Sequence, residues 1–376
     1  MPDSALTIFL SGMLAGVPHQ GGATWAVLQY VLGLRRLGHD VYFVEPVDAA
    51  TLQASTRYFH AVTAEFDLRE RSALLLAGTR ETVGLSYEVL QEAARRADVL
   101  INISGMLADE ALLAHVPVRL YLDLDPAFNQ LWSAIEQIDM RLDGHTHFAT
   151  VGLALGRPAC KVPTLRRQWI PTLQPVVLDR WPRAEDIVYD GLTTVANWRG
   201  YGSIEHEGVF YGQKAHSLRR FLTLPTRTTE RFMLALAIHP AEVPDLQALD
   251  ANGWQLLDPM AVAGSPSAYR AFIQGSKAEF GIAKSGYVVS RCGWFSDRSA
   301  CYLASGRPVI AQETGFSRYL PTGAGLFAFE TDVDILAAVD ALRSDYRRQG
   351  GAAREIAEGY FNSDRVLTKL LERLSI

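Results

Sequence analysis

The order of segments constrains this chain more than any single motif. Residues 6–11 form a short apolar run, and a loop containing Gly16, Gly21 and Gly22 follows it. Residues 23–37 then carry Trp25, Leu28, Val31, Leu32 and Leu34 at the spacing of one helical face. Gly38 stops that helix as a C-terminal cap does, and Asp40-Val41-Tyr42-Phe43-Val44 begins a second extended run. Strand, glycine loop, helix, strand is a βαβ unit, and its crossover helix dictates parallel strands.

The alternation continues along the chain. Helices are predicted at 87–97, 109–115 and 129–141, and strands at 98–104, 118–124 and 147–152. Pro171, Pro175 and Pro182 then punctuate a stretch without clear periodicity, as a linker would. Beyond it the pattern restarts, with strands expected at 192–196, 232–238, 254–257, 287–290, 308–312 and 325–329. Helices fit at 214–221, 267–274, 297–304 and 332–342, and two more, 352–358 and 364–374, close the sequence. A length of 376 residues suits two domains at roughly 150 residues each. The expected architecture is α/β with two Rossmann-like lobes, 1–175 and 191–345, a linker at 176–190 and C-terminal helices at 346–376. Ligands of such sheets bind at the carboxyl ends of the strands, here in the cleft between lobes.

Composition narrows the partners. The formal net charge of −5 offers no basic excess to neutralise nucleic-acid phosphates, so no nucleic-acid partner is expected. Cys160, Cys292 and Cys301 form no CxxC pair and no zinc-like spacing, which fits a reducing cytoplasm. Met1-Pro2-Asp3-Ser4 lacks the positive charge of a signal segment, and no apolar run reaches the ~18 residues a membrane span needs. A cytoplasmic protein without a transmembrane segment is expected.

The most specific stretch runs from Gly293-Trp294-Phe295-Ser296-Asp297-Arg298-Ser299 through Ala304-Ser305-Gly306-Arg307-Pro308-Val309-Ile310, with Gly315 and Gly323-Ala324-Gly325-Leu326 downstream. A loop opens a helix, the helix ends in a small-residue Gly-x-Pro turn, and a Val/Ile strand follows. This resembles the donor-binding segment of GT-B glycosyltransferases of the family 1 and family 4 kind. The Gly21-Gly22 loop and the Gly38-His39-Asp40-Val41 strand entry are similar to that fold's acceptor lobe. The resemblance implies transfer of a sugar from a nucleotide-diphosphate sugar, held by the second lobe, to an acceptor held by the first. It implies no cofactor beyond the nucleotide-sugar co-substrate and no metal. One departure stands out: the paired glutamates of many retaining members are replaced by Gly293 and Cys301.

Physical reading then assigns candidate residues. Ser296 occupies an N-cap position before Asp297, Arg298 and Ser299, and a helix N-terminus presents free N–H groups and partial positive charge suited to a diphosphate. Arg298 and Ser299 would add donors. Gln312-Glu313-Thr314-Gly315 follows the 308–312 strand and would meet sugar hydroxyls. Arg199 and Lys214 are the candidates for neutralising the leaving diphosphate, with Lys277 and Lys284 as competitors. His19, beside Gly21 and Gly22, is the candidate general base for an acceptor hydroxyl. The two glycines would permit close backbone approach to a ligand.

Asp123-Leu124-Asp125 mimics a metal-binding Asp-x-Asp. Three residues of pattern are weak, and work on the acceptor or as base, or helix capping, competes with metal binding. Trp25, Trp132 and Trp169 are candidates for an aromatic acceptor floor, but Trp25 and Trp132 lie at helical spacing with other apolar residues, which favours core packing. Two other functions compete: a nucleotide-sugar 2-epimerase, which needs several cleft carboxylates from among Asp123, Asp125 and Glu313, and a catalytically silent scaffold.

Overall fold

A computed structural model describes residues 5–376; the four leading residues read above for signal character lie outside them. Strands β1 (Thr7–Ser11), β2 (Asp40–Val47), β3 (Ser72–Leu76), β4 (Thr82–Gly84), β5 (Val99–Ile103), β6 (Val118–Asp123), β7 (His147–Thr150) and β8 (Trp169–Pro171) form one sheet. Its order is β4-β3-β2-β1-β5-β6-β7-β8, parallel except for the short edge strand β4. The second lobe contains β9 (Tyr189–Asn197), a hairpin of β10 (Ile204–His206) and β11 (Val209–Tyr211), then β12 (Phe232–Ala237), β13 (Gln255–Leu257), β14 (Ser276–Gly281), β15 (Val309–Gln312) and β16 (Leu326–Phe329). Its main sheet is ordered β13-β12-β9-β14-β15-β16 and is wholly parallel. In both sheets the order reverses beside the first strand, and that switch point opens a crevice at the strands' carboxyl ends.

Three local expectations are corrected. Residues 287–290 belong to a helix, Ser285–Ser290, and the missing central strand is β14. Its sequence, Ser-Lys-Ala-Glu-Phe-Gly, hides a strand because Lys277 and Glu279 interrupt the apolar run. Both charges are paired, Lys277 with Glu230 and fully buried Glu279 with Arg298. The helix expected at 129–141 spans only Phe128–Ile135, and Gln137 and Arg141 beyond it take positive φ angles of 54° and 53°. The proline-rich stretch begins inside a strand, since β8 pairs with β7 before the chain crosses over.

The crossing is reinforced by the C-terminus. Val176 N–H donates to the Phe361 carbonyl at 2.6 Å, and Ser363 N–H returns a bond to the Val176 carbonyl at 2.9 Å. The helix Ser363–Arg373 then lies against helix Gly21–Arg36 of the first lobe. A Cβ on Gly33 would stand 2.5 Å from Leu367 Cδ1, so the small residue sets that approach. The chain therefore passes between the lobes twice.

The lobes meet closely at the start of helix 21–36. A Cβ on Gly21 would fall 2.2 Å from the Ser265 carbonyl oxygen, and one on Gly22 would fall 2.9 Å from the Tyr269 ring. Trp25, 1% exposed, donates its indole N–H to the Pro266 carbonyl at 2.8 Å and packs edge-on to Trp181. Trp25 is thus interlobe core. Among the described residues, no helix is long and apolar enough to cross a membrane.

Candidate functional site

The interlobe crevice encloses about 570 Å³, within the range of pockets that hold ligands of nucleotide size. The first lobe supplies the loop after β1, with His19, Gly21 and Gly22, and Asp125 at the end of β6. The second lobe supplies the ends of β9 and β12, Lys214, Lys284, and Ser296, Asp297 and Arg298 at the tip of helix Asp297–Ala304. Topology brings most of these together: the His19 loop, Asp125 and Lys284 follow the carboxyl ends of parallel strands, whereas Lys214 follows the β10–β11 hairpin and the helix tip follows helix Ser285–Ser290.

Ser296 stands at the N-cap with extended backbone, φ −78° and ψ 135°, but its side chain makes no capping hydrogen bond. The Ser296 side chain thus leaves the first turn of this helix uncapped, and the Asp297 carboxylate lies against the Asp297 and Arg298 N–H groups there. Lys214 is half-buried beside them, and among the described residues it has no ion-pair or hydrogen-bond partner. Burial pushes its pKa down to about 7, and the positive charges of Arg298 and Lys284 push the same way. An ammonium in that position is stabilised most by an anion arriving from outside the protein. Asp297 also faces the crevice, and burial raises its pKa while Arg298 opposes the rise.

Deeper in the crevice a second lysine is fully engaged. Lys284 Nζ lies 3.0 and 3.2 Å from the two carboxylate oxygens of Asp125, an ion pair that joins the lobes. It sits 4.1 Å from the centroid of Tyr201 and 5.0 Å from that of Phe128, so aromatic faces line its stem and head. The hydroxyls of Tyr201 and Tyr287 both donate to Asp125. Burial lowers the pKa of Lys284, and the Asp125 carboxylate counters that shift. Asp125 reaches this position from a strained turn: Ala127 adopts φ 76° after Pro126, unusual for a residue with a Cβ.

Several expected site residues are placed otherwise. Asp123 is fully buried and accepts four hydrogen bonds, from Asn129 at 2.7 Å, Gln130 and Thr150 at 2.8 Å, and Asp125 N–H at 3.0 Å. Burial lifts its pKa to about 6 against those bonds. With its lone pairs occupied and no water access, it organises the end of β6 instead of acting as a base. Arg199 lies outside the crevice, paired with Glu242 at the surface. Arg298 lines the crevice, yet its guanidinium turns inward to Glu279 at 2.6 Å and the Val195 carbonyl at 2.9 Å. Ser299 is buried on the inner face of its helix.

The segment after β15 is equally occupied with its own fold. Gln312 accepts from Ala283 N–H at 3.1 Å, Glu313 accepts from Gly315 N–H, and the Thr314 hydroxyl donates to the Trp294 carbonyl. Gly315 takes φ 99° with its Cα against the Arg291 carbonyl, where a Cβ would be 2.9 Å away. These residues shape the loop that carries Trp294, whose ring stacks on Tyr287 at 4.4 Å and lines the crevice. Gly21 and Gly22 also line it, but the neighbours that require their smallness are Ser265 and Tyr269.

One contributor carries no motif. Glu45, in the middle of β2 and fully buried, accepts from the N–H groups of Leu14, Ala15 and Gly16 at 3.0, 2.8 and 2.6 Å. It fixes the loop that leads to His19. Burial drives its pKa up to about 7 despite the three bonds. A charged residue inside the run Val41–Val47 was the only sequence signal.

No protein-family model matches the chain, and no curated protein matches it in sequence. Solved structures do. An alpha-glucosyltransferase in complex with UDP-glucose and DNA containing an abasic site superposes with a TM-score of 0.64 at 12% identity, covering 98% of each chain. Anabaena HepE in complex with UDP-glucose gives 0.58 at 11% identity, covering 98% of this chain and 99% of the other. A glycosyltransferase from Rickettsia africae gives 0.54 at 14% identity over 98% and 97%. The fold is the two-lobed GT-B architecture of glycosyltransferases.

Proposed function

We propose that the chain is a glycosyltransferase that moves a sugar from a uridine-diphosphate sugar to an acceptor. The observation that carries the reading is Lys214: a half-buried amine without a protein partner, beside a helix tip whose Ser296 side chain makes no capping bond, in a crevice of nucleotide size. Neighbours of the same fold are solved with UDP-glucose, which supports uridine as the base and a hexose as the sugar. In this reading the diphosphate lies on the first-turn amides of helix 297–304, and Lys214 neutralises the charge that grows on it as the sugar leaves. No cofactor or metal is called upon, since the positive field comes from these groups.

On the acceptor side His19 is the proposed general base. It lines the crevice from the first lobe, at φ 64°, with its ring edge-on to Tyr58 at 5.4 Å. The Asp125–Lys284 pair would close the lobes over the donor and exclude water. An epimerase is disfavoured because Asp123, Asp125 and Glu313 are each committed to internal partners. The unpaired Lys214 disfavours a silent scaffold. The DNA of one neighbour is not carried over, as a net charge of −5 suits a small molecule, glycan or protein acceptor better. Three free, buried cysteines suit a cytoplasmic location.

The decisive experiment is calorimetry with uridine, thymidine, guanosine and adenosine diphosphates. Binding of UDP that weakens in Lys214→Ala supports the reading. Failure of all four nucleotides to bind refutes it.

A further inference from the structure

A second cavity, of about 490 Å³, lies away from the crevice, where residues 170–173 meet helix Ser363–Arg373. Its floor is apolar: Ile170, Leu173, Val366 and Leu370. Its rim is basic, with Arg157 on one side and Arg365, Lys369 and Arg373 along the helix. Spacing of four residues places those three on one stripe about 12 Å long, next to the apolar stripe of Val366 and Leu370. All four basic side chains are exposed, and among the described residues none has an acidic partner. Of the two acids adjacent to them in sequence, Asp364 is held by Arg36 at 3.0 Å and Glu372 does not line the cavity.

Like charges four apart on a helix repel. Glu372 lies on the same helix without an ion pair to any of them, and no Asp or Glu lines the cavity although the whole chain carries a net charge of −5. Two half-exposed tyrosines, Tyr319 at 37% and Tyr360 at 40%, stand at the same cavity with polar tips and apolar bodies. An apolar floor with tyrosine walls and a cationic rim matches a molecule that has both a hydrocarbon body and a phosphate.

We propose that this cavity binds an amphiphilic phosphate, its hydrocarbon on Leu173, Val366 and Leu370 and its phosphate on Arg365, Lys369 and Arg373. The site is separate from the nucleotide crevice and does not depend on the function proposed above. Two sources share this chemistry, a phospholipid headgroup region in a bilayer and a soluble alkyl phosphate.

The full-length chain is tested by calorimetry with dodecyl phosphate below its critical micelle concentration. In parallel it is co-sedimented with phosphatidylcholine vesicles with and without phosphatidylglycerol. Binding of dodecyl phosphate identifies a soluble amphiphile as sufficient, and retention only on phosphatidylglycerol vesicles identifies the bilayer; both support the site. The exposed double variant Lys369→Gln/Arg373→Gln, verified as folded by its thermal transition, is expected to weaken binding about twenty-fivefold, each lysine or arginine near an anionic surface contributing about fivefold. Equal binding by the variant overturns the proposal, as does absence of binding to both probes. Inorganic phosphate binding as tightly as dodecyl phosphate overturns it too, because the apolar floor would then have no role. Retention of a DNA duplex without either amphiphile would instead make the rim a nucleic-acid surface.

Discussion

Lys214 makes the crevice a proton-linked binding site. Its pKa stands near 7 in the free protein because burial and the neighbouring charges of Arg298 and Lys284 disfavour the ammonium, while Asp297 and Glu279 favour it. A bound diphosphate favours the charged form and raises that pKa, so binding takes up a proton wherever free Lys214 is neutral. If the protonated form alone binds, the competent fraction falls from about 90% at pH 6 to about 1% at pH 9, and affinity drops roughly ninetyfold. UDP-glucose is the suitable ligand, since its diphosphate is esterified at both ends and keeps a constant charge across that range. Calorimetry at intervals from pH 6 to 9, in two buffers of different ionisation enthalpy, reads affinity and protons together; uptake should be about half a proton at pH 7. Lys214→Met should bind more weakly at pH 6 and show little slope, and Lys214→Arg should restore binding with no slope. A wild-type affinity that stays flat to pH 9, or the same slope in Lys214→Met, would refute this account of the site.

Two further outcomes follow from the packing. Glu279→Gln leaves the Arg298 guanidinium buried without its counter-charge and should cost about 3 kcal/mol in denaturant unfolding; a loss below measurement error would mean that the pair is solvated. Gly21→Ala, at the first position of its helix, should stabilise by less than about 1 kcal/mol if the lobes stand apart, yet drive a methyl group into the Ser265 carbonyl if they meet closely. A lower melting temperature with weaker UDP-glucose binding is expected, and a rise in melting temperature would show that the close approach is not populated.

The parallel architecture was legible because periodicity and glycine punctuation agree along most of the chain. It failed where charge was buried: β14 escaped because Lys277 and Glu279 broke its apolar run, although both are paired inside the fold. For the site, the strand-end rule brought His19 and Asp125 to the crevice, which Lys214 and the helix tip reach from the β10–β11 hairpin and from the segment after helix Ser285–Ser290. Side-chain direction was not legible. Arg298 and Asp123 sit at strand or helix ends as motif reading requires, and each turns inward to a partner far away in sequence or supplied by a different element. The Asp125–Lys284 pair spans 159 residues, so only the docking of two lobes creates it.

The return of helix Ser363–Arg373 to helix Gly21–Arg36 bears on how the chain is made. The groove beside Gly33 stays open until Leu367 and its helix have left the ribosome, so the first lobe is completed only after the second lobe has been synthesised. Until then the apolar side of helix 21–36 that Leu367 covers is a surface for chaperones or for aggregation, and a fragment confined to the first lobe inherits that exposure permanently.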